Sequence, residues 1–170
     1  MNPQERTKIV EILEKSREQF NATVGAISEA QSTLKPDPAR WSVLECVEHV
    51  ATAEGMFLGW LEGAQRMDAP RVDPQREAEL AASVANRSTR AQAPERVQPA
   101  GRFATLAEAL AQFNSNRDRT IRYAQERSAD LYHLAAEHPR LGALNGVELL
   151  IITAGHPLRH AEQIREIPLS

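Results

Sequence analysis

One cysteine, Cys46, stands in the whole 170-residue chain, so no internal disulfide can form and no oxidising compartment is required. Charge of one sign is equally scarce: the formal net charge is -3, with no excess of lysine and arginine. Aromatic residues make up only 5% of the chain. Without a basic footprint or aromatics placed for base stacking, neither nucleic acid nor an anionic membrane surface is an expected partner. Long apolar runs are missing too. The strongest, "VELLIITAG" from Val147, falls well short of the roughly 20 residues that span a bilayer. The opening "MNPQERTKIVE" lacks the apolar stretch of a signal peptide. No segment alternates in the manner of a strand and no internal repeat stands out. The expectation is one cytoplasmic domain over residues 1–170, long enough to bury most of its apolar surface.

Helix signals fill the space these absences leave. Asn2, Pro3 and Glu5 form an N-cap, a first-turn proline and a capping box. Ile9, Leu13, Phe20, Val24 and Ile27 then recur at helical spacing, which predicts a helix to about Ala30, ended by "KPDP". Ser42 and Glu45 open a second helix behind Trp41, which suits a hydrophobic staple, and Val43, Val47, Val50, Phe57 and Leu61 form its stripe. Thr105 and Glu108 open a third, with Leu106, Leu110, Phe113, Ile121 and Ala124 inward. Asn145 and Glu148 open the last, which runs to about Ile167; its first half is apolar all round and should be the most enclosed. Residues 67–102 hold four prolines and few large apolar side chains. Asp73 and Pro74 start a short helix there, and the rest reads as a crossover. The pattern predicts an all-α fold: a four-helix bundle with a long crossover connection containing a short extra helix.

Histidine carries the candidate chemistry. His156 and His160 lie one turn apart on the face of the last helix shared by Leu149, Ile152, Gln163 and Ile167. His49 flanks the stripe of the second helix, whose neighbour in a bundle could be the last. Neutral imidazoles on facing helices are how bundles build metal sites. Three of them without a fourth protein ligand leave an open position, the arrangement of a catalytic rather than a structural site. Pro157 lies between the two ligands of the pair. It removes the amide that would bond the Thr153 carbonyl and predicts a kink there.

Other polar residues have two readings each. Glu54, in the stripe of the second helix, either supports a ligand histidine or a bound water, or is the buried partner of an arginine such as Arg117 or Arg122. Gln163 either bonds a ligand or substrate or packs on the first helix. Cys46, one turn before His49, is either a fourth ligand or a small buried hydrophobe. His133 and His138 fall in or beside a Pro-containing connection, where His138 of "HPRLG" would shape the turn.

The segments "RWSVLECVEHVATAE", "GRFATLAEALAQFNSNRDRTIRYA" and "HPRLGALNGVELLIITAGHPLRHAEQI", in that order, resemble the DinB-like (DinB/YfiT-like) family of metalloenzymes. The resemblance runs from about Glu5 to Ile167. It implies an up-up-down-down-like bundle, frequently a homodimer, with a divalent metal (zinc, nickel, manganese or iron) on His49, His156 and His160. The resemblance fixes the position of Glu54 but not its role, so Glu54 and Gln163 are only candidates to support the ligands. Some members are transferases that use a low-molecular-weight thiol. Pro157 departs from the family pattern, in which that position is compatible with a regular helix. The expected activity is thiol transfer to, or hydrolysis of, a small molecule. A dimeric binding or stress-response bundle with a degenerate metal site is the alternative, and Pro157 is the feature that favours it.

Overall fold

The structure, a computed structural model, describes residues 1–88, 92–126 and 130–169. Its long helices are α1 (Pro3–Gly25), α3 (Val43–Glu62), α5 (Leu106–Glu126) and α6 (Gly146–Arg165); α2 (Glu29–Ser32) and α4 (Pro74–Ala85) are shorter. Asn2, Ser42 and Asn145 each accept from the third helical amide while Glu5, Glu45 and Glu148 reach back, so three capping boxes start three of the long helices. Asp73 caps α4 behind Pro74. No helix among the described residues is long and apolar enough to cross a membrane.

Packing closes a square. Helix α1 packs on α5 and α6, and α3 packs on the same two, so α1 and α3 are diagonal, as are α5 and α6. Two apolar clusters give the directions. The first takes Leu13 from α1, Phe57 and Leu61 from α3, Ile121 from α5 and Leu149 from α6. The second takes Phe20, then Val43 and Val47, then Phe113, then Ile164. Helices α1 and α6 therefore run one way and α3 and α5 the other. This up-down-down-up order replaces the up-up-down-down-like order that the family resemblance implied. It also explains the long crossover. Neighbours α3 and α5 are parallel, and the chain must return the length of a 20-residue helix, about 30 Å, to start α5. Each large side chain buried in these clusters contributes about 1.5–3 kcal/mol.

Between the two clusters lies a polar layer of Ser16, Glu54, Asn116, Arg117, Thr120 and Thr153, all buried. Arg117 is fully enclosed and ties the four long helices together. It forms a two-pronged pair with Glu54 at 2.7 and 2.9 Å and donates to the Leu13 carbonyl and the Ser16 hydroxyl, both at 2.7 Å. Its Nη2 also donates to the Thr153 carbonyl at 2.9 Å. Thr120 adds a hydroxyl to the Glu54 carboxylate at 3.0 Å.

Several expectations need correction. Helix α1 stops at Gly25, short of Ala30, because Ser28 caps the separate turn α2 with Gln31 as its reciprocal partner. Three short antiparallel strands exist where no alternation is visible: β1 (Gln65–Arg66), β2 (Leu134–His138) and β3 (Gly142–Leu144), in that order. Segments of two to five residues are too short to display a period. Their turn, His138 to Gly142, is shaped by His138 as expected: its Nδ1 accepts from the amides of Arg140 and Leu141, both at 3.2 Å. Gly142, at φ 69°, supplies a left-handed conformation costly to other residues. The box at α5 is half formed. Thr105 accepts from the Glu108 amide, but the Glu108 carboxylate takes the amide of Ala104. Glu29 of α2 caps α5 instead, accepting from the amides of Leu106 and Ala107 at 2.9 and 3.0 Å.

Candidate metal centre

Helices α3 and α6 are packed neighbours, which brings His49 against His156 and His160. The three ring centroids stand 4.6–5.0 Å apart. One nitrogen from each lies within 4.8 Å of the others, and the Nε2 atoms of His49 and His156 are 3.1 Å apart. Nitrogens on a common tetrahedral ion sit about 3.3–3.4 Å apart, so the His49–His156 pair is already near that spacing and a shared ion would draw the third nitrogen in. His49 and His160 are buried at 4% and 7% exposure, whereas His156 is half-buried. The cluster therefore meets solvent on the His156 side.

Hydrogen bonds settle which nitrogens face inward. His49 Nδ1 lies 2.7 Å from the Val97 carbonyl, which can only accept, so Nδ1 carries the proton and Nε2 keeps its lone pair. His160 Nδ1 lies 2.9 Å from Gln163 Oε1. That oxygen also accepts from Arg87 Nη1 at 3.1 Å, and since arginine only donates, the Gln163 atom is the carbonyl oxygen. His160 Nδ1 therefore donates and its Nε2 is free. A carbonyl or amide oxygen behind these two imidazoles is the arrangement that fixes tautomer and ring angle in metal sites.

Burial holds the rings neutral. Desolvation pushes His49 below the ordinary histidine value, and the Val97 bond only partly offsets it. His156 and His160 fall well below that value, first through desolvation and then through the neighbouring imidazoles, with Arg159 adding to the effect on both. Neutral imidazole is the form that binds metal.

Aromatic and backbone contacts frame the cluster. The Trp41 ring packs 4.9 Å from His49 and 6.3 Å from His160, so it covers two ligands in addition to starting α3. Phe57 meets His156 edge to face at 5.5 Å. Val97 comes from the crossover, in the short helical turn Glu95–Val97. That segment is clamped by Glu48, whose buried carboxylate accepts from the amides of Ala100, Gly101 and Arg102 and from the Arg102 guanidinium.

Pro157 does not interrupt the site. Helix α6 runs unbroken from Gly146 to Arg165, and the Thr153 carbonyl that the proline leaves unbonded receives Arg117 Nη2. The remaining candidates resolve similarly. Glu54 is the partner of Arg117, and Gln163 supports His160. Cys46 is fully buried in the second apolar cluster and is not in the ligand group. Burial, aided by the Glu45 carboxylate, pushes its thiol up to about 12. His133 bonds the Met67 carbonyl at 3.1 Å. Sequence reasoning missed Val97, Arg87 and Glu48. Val97 acts through its main chain, and the other two carry no local pattern.

The fold and the cluster together define a crossover four-helix bundle with three converging imidazoles. The chain belongs to the DinB superfamily, whose profile matches residues 12–164. Among solved structures it is similar to YfiT from Bacillus subtilis, described as a probable metal-dependent hydrolase with an unusual four-helix bundle topology. The two share 15% identity over 98% of this chain and 87% of that one, with a TM-score of 0.60, which establishes the shared fold. No curated protein matches the sequence.

Proposed function

We propose that His49, His156 and His160 hold a divalent transition metal and that the protein is a metal-dependent enzyme acting on a small electrophile. Bound there, the ion would acidify a coordinated thiol or water and present it as a nucleophile. The observation that carries this reading is the pair of outward hydrogen bonds, His49 to Val97 and His160 to Gln163, which commit both Nε2 atoms to the centre of the cluster. Trp41 would exclude water from the side of His49 and His160, and the half-buried edge at His156, flanked by Phe57, would admit substrate. Hydrolysis draws support from the description of YfiT. Thiol transfer, with a low-molecular-weight thiol as co-substrate, follows from the family resemblance of the sequence. Zinc, nickel, manganese and iron all accept imidazole, and availability decides among them.

The test is a pair of assays on protein stripped with a chelator and reloaded with each metal in turn. Ester hydrolysis and conjugation of a thiol to an electrophilic dye are followed in parallel. The reading expects one of the two activities to require metal and to be lost in His156→Ala. Metal-independent rates, equal in the native protein and the variant, would overturn it.

A further inference from the structure

The carboxylates around the imidazole cluster are already paired, Glu166 among them, which takes Arg87 at 2.9 and 3.1 Å. All three candidate ligands are neutral, and the carboxylates beside them on α3 are already held. Glu48 is occupied by three backbone amides and Arg102, and Glu54 by Arg117 and Thr120. Arginines stand on both sides. Arg87 reaches the cluster through Gln163 at 3.1 Å, and Arg159 directly precedes His160.

A third arginine flanks the side that meets solvent. Arg96 directly precedes Val97, whose carbonyl bonds His49, so its backbone is fixed next to the site. Its guanidinium carbon sits 5.2 Å from the centroid of the Trp60 ring. Trp60 is 5.6 Å from Phe57, and Phe57 is 5.5 Å from His156, so Arg96 ends an aromatic wall that begins at the most exposed ligand. The guanidinium is exposed, and among the described residues no carboxylate forms an ion pair with it. Contact with a ring face leaves the N–H edge of a guanidinium able to grip a carboxylate with two parallel bonds.

We propose that the site takes a small molecule carrying a carboxylate, and that Arg96, braced on Trp60, is the specificity residue that binds it. This rests on the metal reading above. The aromatic wall holds the apolar body of the substrate between the reacting end at His156 and the anionic end at Arg96.

The experiment uses the full chain loaded with cobalt, whose visible spectrum reports ligands entering its coordination sphere. It is titrated with two matched series, ω-mercaptocarboxylates and ω-mercaptoalcohols of three to eight carbons. The proposal expects the carboxylates to bind about tenfold tighter at the chain length that spans the wall, the scale of one charge-assisted contact. In Arg96→Met the advantage falls below about threefold while one cobalt per chain is retained, and Arg96→Lys keeps part of it. Equal binding of the two series at every length overturns the proposal. A preference undiminished in Arg96→Met, or a cobalt spectrum that neither series perturbs, does the same and leaves the metal reading standing. A chain that holds no cobalt at all overturns both.

Discussion

The Arg117 guanidinium donates to the Thr153 carbonyl at 2.9 Å, and Thr153 is the residue whose helical partner Pro157 removes. A proline between two metal ligands looks damaging from the sequence, because it orphans a buried carbonyl one turn from His156. The fold supplies the missing donor from another helix, through a side chain that also bonds α1 and α3.

Truncating Arg117 leaves Glu54 buried without its partner, so Arg117→Met should cost about 3–5 kcal/mol, read by chemical denaturation. In a Pro157→Ala background the restored backbone amide can serve the Thr153 carbonyl, and the cost of Arg117→Met should shrink by about 1 kcal/mol. Identical costs in the two backgrounds would show that the carbonyl contact contributes nothing.

Gly155 marks the close approach of α4 to α6. A Cβ at that position would lie 2.1 Å from Val84 Cγ1. Glycine to alanine inside a helix ordinarily stabilises by up to about 1 kcal/mol, but here overpacking should reverse the sign and cost about 1–3 kcal/mol. Adding Val84→Ala should recover most of it. A more stable Gly155→Ala single variant, read from its melting temperature, would contradict the packing described.

Glu48 anchors the crossover that carries Val97. Its burial raises the carboxyl pKa, but the amides of Ala100, Arg102 and Gly101 and the Arg102 guanidinium outweigh that, and the net value lies below the ordinary 4.5. A carboxylate depressed in the fold stabilises it fully above its unfolded value and loses that contribution as pH falls through the folded value. Glu48→Gln should therefore be less stable than the native protein at pH 7, by roughly 1–3 kcal/mol, with the gap closing below about pH 4.5. Thermal melts from pH 3 to 7 check it, and a gap constant across that range would sink the assignment.

Cys46, with its thiol pushed up to about 12, should be inert in the folded chain. Iodoacetamide labelling at pH 8 should be slower than in denaturant by roughly a thousandfold, from the thiolate fraction alone. Labelling at comparable rates would contradict the buried, apolar setting.

Much of this is legible in the sequence because it is local. Asn2, Ser42, Asp73 and Asn145 announce four helix starts by short-range chemistry, and the fold places helices after each. His156 and His160 share a face by helical period, while His49 joins them only through the family resemblance, since the pattern leaves open which helices are neighbours. What escapes depends on tertiary arrangement. Helix directions follow from which ends share a cluster, and Glu29 caps a helix 77 residues away. The Val97 carbonyl behind His49 has no side-chain signature, and the strands are too short to show one. The doubt raised by Pro157 comes from local reasoning at a position that a distant arginine satisfies.

The central claim is that three imidazoles hold one metal ion. Elemental mass spectrometry of native protein, purified without an affinity tag or chelator, tests it beside the His156→Ala/His160→Ala double variant. Close to one equivalent of a transition metal is expected in the native chain and none in the variant. No metal in either, with none taken up on titration, would refute the claim and leave the histidines a role in packing alone.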